Sequence, residues 1–163
     1  MPVTPPDWSR ERKRSLFEWA PYKSLLGAIR AYQASRDRSG PIAFLRWTSA
    51  FFRWRFWSVV SGASIPLRTR IGGGLQIPHC QGVAINVASR IGCNCDIFQG
   101  VTIGEYRGQA PTIGDGVQIG PGATILGEVT IGDGARIGPM ALVMSDVPAG
   151  GAAYAPRAEI RGP

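Results

Sequence analysis

Fourteen β-branched aliphatic residues fall on a six-residue grid, and this grid limits the folds open to the chain. Steps of six connect Val59, Ile65, Ile71 and Ile77, then Ile85, Ile91, Ile97 and Ile103, then Ile113, Ile119, Ile125, Ile131, Ile137 and Val143. The three runs are joined by steps of eight and ten, a six with two extra residues and a six with four. Glycine follows the aliphatic at Gly72, Gly92, Gly104, Gly114, Gly120, Gly132 and Gly138, and the tetrapeptide IGDG recurs 18 residues apart at 113–116 and 131–134. A helix repeats every 3.6 residues or so and an isolated strand every two, and neither period fits. Six residues suit a short flat strand and a corner. Three such units close a triangular coil of 18 residues. The aliphatic side chains then stack inside a prism, and successive coils pair as parallel strands about 4.8 Å apart. The small residue after each aliphatic is read as letting the chain turn without a Cβ clash. The grid thus predicts an all-β repeat, a parallel β-helix over 59–148, preceded by a segment 1–58 and followed by a tail 149–163.

Charge separates the same parts. Residues 1–70 carry 13 Lys/Arg against 4 Asp/Glu, whereas 71–163 carry 5 against 7. Residues 8–35 read as helical with a break at Pro21, 39–41 as a turn, and 42–60 as a second helix, so the β-helix follows a short α-helical segment. Phe44, Trp47, Phe51 and Trp54 share one face of the second helix at three- and four-residue spacing, with Arg46, Arg53 and Arg55 interspersed. This stripe either caps the first coils or forms a peripheral contact with the anionic inner membrane, where aromatic and arginine side chains are both favoured. Nucleic acid is not an expected partner, because charge alone, without a recognition motif, points to it.

Cys80, Cys93 and Cys95 are an odd set, and the N-terminus lacks the apolar stretch of a secretory signal. Free thiols in the cytoplasm are the expectation. No metal is expected, since Cys93 and Cys95 have the wrong spacing and the chain has a single histidine.

That histidine, His79, lies at the first insertion of the grid. Taking the second residue after each inward aliphatic on this edge predicts an external column His79, Gln99, Pro121, Pro139, rising through three coils or roughly 14 Å. An extended coenzyme arm can lie along such an edge with its reactive end at His79. A neutral histidine can take the proton of a hydroxyl as its oxygen attacks a thioester, at a gain of about 10²–10⁴-fold. Glu18, Asp37, Glu105 or a backbone carbonyl are candidates to orient it. Cys80 is not read as a nucleophile, because direct transfer needs none and a chain neighbour of His79 faces elsewhere. The second insertion, 104–112, places Glu105, Tyr106 and Arg107 either in contact with an acceptor in a site shared with a neighbouring subunit or in an ordinary solvated loop. Arg136, Arg157 and Arg161 are candidates for coenzyme phosphates, or solvated charges.

The stretches IPHCQGVAIN (77–86), IFQGVTIG (97–104), PTIGDGVQIGPGATILGEVTIGDGARIG (111–138) and SDVPAG (145–150) resemble serine acetyltransferases and, more closely, exopolysaccharide O-acetyltransferases of the colanic acid type. The resemblance implies a left-handed β-helix, a homotrimer, acetyl-CoA as donor held between adjacent prisms, and His79 as the catalytic histidine. Gly104, Gly120, Pro121, Arg136 and Pro139 match positions on or beside the coenzyme slot. Two departures bear on the acceptor. Serine acetyltransferases carry Asp before the catalytic histidine, where this chain has Pro78. They carry Arg-His to hold serine before the proline matching Pro111, where this chain has Gln109 and Ala110. These differences favour a sugar hydroxyl in glycan biosynthesis as acceptor. Serine or another small acceptor is the alternative, and a non-catalytic scaffold or membrane-docking subunit the third reading.

Overall fold

A computed structural model describes residues 5–13, 15, 18–35 and 40–159. A 3₁₀ turn, Trp8–Glu11, is followed by α1 (Pro21–Ser35) and α2 (Pro41–Ser61). Each α-helix begins on a proline, a residue suited to the first turn because the amide it lacks has no intrahelical acceptor there. Gly62 ends α2 in the left-handed region at φ 65°, its N–H reaching Ser58 O at 3.1 Å. The expected helix over 8–35 is thus a 3₁₀ turn and a separate α1, and the expected turn at 39–41 lies partly outside the described residues.

Twelve short strands follow: β1 (Arg70–Ile71), β2 (Ala84–Ile85), β3 (Arg90–Ile91), β4 (Asp96–Ile97), β5 (Thr102–Gly104), β6 (Thr112–Ile113), β7 (Gln118–Ile119), β8 (Thr124–Leu126), β9 (Thr130–Ile131), β10 (Arg136–Ile137), β11 (Leu142–Val143) and β12 (Ala152–Ala153). They form three parallel sheets, ordered β1-β3-β6-β9, β4-β7-β10-β12 and β2-β5-β8-β11. These are the three faces of a left-handed prism. Ile97, Ile119 and Ile137 stack in one register, and Ile85, Ile103, Ile125 and Val143 in another.

Thirteen of the fourteen grid residues are buried in this prism. Val59 is the exception: it lies in α2 and is 66% exposed, so its place on the grid is a coincidence of spacing. The β-helix begins after α2, where Ser64 bridges Ala84. It also runs past 148, because β12 pairs with β10 inside the expected tail.

The glycines do two separate jobs. Those after the aliphatic have ordinary φ; a Cβ on Gly72 would sit 2.6 Å from the amide nitrogen of Cys93 on the next coil. The left-handed conformation is taken further along the corner, as at Gly100 and Gly122. The expected turning role therefore belongs to the later glycine, and the earlier one permits close approach of coils. Asp115 and Asp133 of the two IGDG motifs tie coils together: Asp115 Oδ1 accepts from Cys93 N at 2.7 Å, and Asp133 Oδ1 from Asp115 N at 2.8 Å.

The helical segment caps the open first coil. Arg30 donates to the carbonyls of Ile71 and Gly72, both at 2.6 Å, and pairs with Glu11. Glu11 in turn accepts from the amides of Gly74 and Leu75 at 2.8 and 3.2 Å. These bonds satisfy a sheet edge that would otherwise offer its backbone to another chain.

Candidate functional site

His79 stands outward in the corner between the β4-type and β2-type faces. Its neighbour Cys80 turns inward, is 4% exposed, and donates through Sγ to Ser61 O at 3.2 Å. Burial raises the Cys80 thiol above its ordinary value, and pushes the Cys95 thiol up to about 12. The Cys80 thiol, turned inward and bonded to a backbone carbonyl, sits among packing groups.

The corner column differs from expectation at its base. Gly100 N donates to Gln81 O, Gly122 N to Gln99 O, and Met140 N to Pro121 O, all at 2.9 Å. In this ladder Gln81, not His79, is the register partner of Gln99, with Pro121 and Pro139 above. His79 belongs to the two extra residues of the eight-residue step and stands just ahead of the column. The signal was present in the sequence: Gln81-Gly82-Val83 repeats as Gln99-Gly100-Val101.

The remaining candidates divide between two corners. Gly120 and Pro121 leave β7 at the His79 corner, and Pro139 follows β10 there, with Arg136 three residues earlier on the adjoining face. A Cβ on Gly120 would meet the nitrogen of Pro139 at 2.8 Å, so coil packing alone demands glycine there. Arg136 is exposed and has no partner among the described residues. Gly104, Glu105, Tyr106 and Arg107 lie at the other edge of the β5 face. Tyr106 and Gln109 exchange backbone bonds at 2.9 and 3.1 Å, and Arg107 and Gly108 turn the hairpin at φ 52° and 78°, as a type I′ turn requires. The Arg107 guanidinium lies 5.2 Å from the Tyr106 ring centre. One chain therefore brings His79 together with Gln99, Gly120, Pro121 and Pro139, and holds 104–107 a face-width away.

No described carboxylate orients His79. Glu18 pairs with Lys23 at 2.9 Å, Glu105 is on the far corner, and Asp37, like Arg161, lies outside the described residues. Arg157 is exposed in the segment after β12. Cavities of 280, 470 and 270 Å³ lie along α2, and His79 lines none of them.

Residues 110–144 match the family model described as bacterial transferase hexapeptide (six repeats). A probable serine acetyltransferase 4 of Oryza sativa subsp. japonica is 38% identical over 117 residues, covering 66% of this chain and 34% of the relative. A serine acetyltransferase of Staphylococcus xylosus is 45% identical over 74 residues, covering 43% and 34%. Among solved structures, soybean serine acetyltransferase complexed with serine superposes with a TM-score of 0.74 at 30% identity, over 94% of this chain and 65% of that one. A serine acetyltransferase in complex with CoA gives 0.71 at 27%, over 84% and 55%. The chain thus spans about a third of the length of these curated relatives. Over residues 110–144 the repeat matches that of bacterial hexapeptide transferases, and serine acetyltransferases are among the chain's homologues. The closer kinship expected with colanic-acid-type enzymes finds no support among these relatives.

Proposed function

We propose that this chain, a hexapeptide-repeat protein homologous to serine acetyltransferases, is an acetyl-CoA-dependent O-acetyltransferase with His79 as its general base. The observation that carries the reading is the display of the chain's one histidine on the extra residues at the foot of an in-register corner column. The unprotonated imidazole takes the acceptor's hydroxyl proton as the oxygen bonds to the acetyl carbonyl carbon. The carbon–sulfur bond then breaks, and the proton passes to the departing thiolate. The transfer is direct, with Cys80 turned into the core.

Gly120, Pro121 and Pro139 offer a strip of short side chains along which the pantetheine arm can run, with the unpaired Arg136 guanidinium available to phosphate oxygens. Gly104 and the 104–112 hairpin complete the site when a neighbouring copy brings its far corner to His79. The β5 face between the two corners supports such assembly, into the homotrimer that the resemblance implies. It presents Thr102, Thr124, Leu126, Leu142 and Met144 outward, with Leu142 and Met144 well exposed. In this arrangement Glu105 is the candidate carboxylate for orienting His79. Gln99 and Tyr106–Arg107 face the acceptor.

The homologues favour serine or another small hydroxyl compound as acceptor over the sugar expected from the sequence. A sugar hydroxyl in glycan biosynthesis is the second reading, favoured by Pro78 and by Gln109–Ala110 in place of the residues serine acetyltransferases carry. Release of CoA measured over a panel of amino acids and saccharides separates the two. Turnover with serine far above every saccharide supports the first, the reverse supports the second, and failure to bind acetyl-CoA in calorimetry leaves a non-catalytic scaffold.

A further inference from the structure

We infer that the outer face of α2 docks on an anionic lipid bilayer. Leu45, Phe52, Phe56 and Val59 recur at steps of seven, four and three along α2 and so form one ridge, about 21 Å long. They are 70, 66, 59 and 66% exposed. The opposite side of the helix is already committed: Ala43 and Ala50 are buried, and Trp54 Nε1 donates to Ile65 O at 2.8 Å. A helix apolar on both sides is normally covered on both, and an exposed ridge of this size marks a contact surface.

Charge selects the partner. α2 holds Arg46, Arg53 and Arg55 and no acidic residue. Arg46 and Arg53 line a 280 Å³ cavity with Ser35 and Ser49 on one flank of the ridge, and Arg55 lines a 470 Å³ cavity with Trp54 and Val59 on the other. A second copy seated on this ridge would set arginines against arginines with no carboxylate to pair them. An anionic bilayer accepts the apolar ridge between the headgroups and pairs the flanking guanidinium groups with phosphate. No described helix is long and apolar enough to cross a membrane, so the contact is peripheral.

Docking brings the His79 loop close to the bilayer. The last turn of α2 touches the His79 loop directly, through Ser61 O to Cys80 Sγ at 3.2 Å and Gly62 O to Gly82 N at 2.9 Å. The inference is independent of the acetyl-transfer reading, because the ridge includes no residue assigned to that chemistry.

Co-sedimentation of the full chain with phosphatidylglycerol–phosphatidylcholine vesicles, against phosphatidylcholine alone, tests it. The anionic vesicles should bind about tenfold more tightly or better, and binding should weaken with salt. Phe52→Glu with Phe56→Glu, and separately Arg46→Glu with Arg53→Glu, should each cost about tenfold or more in vesicle binding. An unchanged circular dichroism spectrum would show that the fold survives in both. Equal binding to both vesicle types, or unchanged binding by both variants, overturns the proposal. So does a self-association in sedimentation velocity that Phe52→Glu with Phe56→Glu abolishes while wild type ignores vesicles. CoA release from acetyl-CoA in solution should be the same in all these proteins, so failure here leaves the enzymatic reading standing.

Discussion

Gln81 and Gln99 occupy one corner position on successive coils, joined through Gly100 N and Gln81 O at 2.9 Å. Since the eight-residue step reaches Gln81 two residues late, His79 is left outside the repeat. A residue within the repeat is constrained by the coil beneath it and the coil above it. His79 is constrained by neither, and it has no hydrogen-bond partner among the described residues.

From this it follows that His79→Ala should leave the fold intact. The expected change in stability is within about 0.5 kcal/mol, as for other exposed substitutions, measured by thermal or denaturant unfolding. Acetyl transfer should fall by about 10²–10⁴-fold. Cys80→Ala should retain acetyl transfer, since Cys80 contributes packing and a bond to Ser61 O but no chemistry.

Arg30 is one of several ties between the cap and the prism. Arg30→Ala loses two bonds to backbone carbonyls and the pair with Glu11. About 2–3 kcal/mol of stability should be lost, read as a lowered denaturant midpoint. Activity measured well below the unfolding midpoint should be little changed.

Gly72→Ala should destabilise by about 1–3 kcal/mol, because the new Cβ meets backbone of the next coil rather than a side chain that can move aside. Gly108→Ala meets nothing within 4 Å, but φ there is 78°. Its smaller expected cost arises from the left-handed backbone alone. Parallel unfolding curves of the two variants check the contrast.

The grid made the prism legible because each inward residue must be aliphatic and must recur with the coil. The corners were less legible. An inserted pair shifts the register of everything after it, and counting forward from Ile77 placed His79 where Gln81 belongs. The repeated Gln-Gly-Val resolves the choice, because it aligns the corners from their far side. Val59 shows the converse error: a helix can place an aliphatic on a six-residue grid by chance, and only burial separates the two cases. The split of the candidate residues between two corners does follow from the count, because Ile103 stands one grid step beyond Ile97 and the second insertion therefore opens a different corner from the first.

Cys95 links burial to pH. Its thiol is fully buried and pushed up to about 12 from the ordinary 9.0. In the unfolded chain this thiol loses its proton near the ordinary value, whereas in the folded chain it keeps it. Its contribution is therefore fully present below about pH 9 and is lost as pH rises toward 12. Val117 fills the same inward position one coil above, which makes Cys95→Val a fitting replacement. Cys95→Val should cost less than about 1.5 kcal/mol at neutral pH and flatten the alkaline loss of stability, as measured by unfolding midpoints across that range.

If His79 acts as the base in acetyl transfer from acetyl-CoA, its removal should stop turnover in a chain that still folds. CoA release by the wild-type chain and by His79→Ala, measured side by side with serine and with saccharides, tests it most directly. Hydroxyl-dependent release by the wild type, and its loss in a folded variant, is the expected result. Equal release by the two proteins, or release independent of any acceptor hydroxyl, would contradict it.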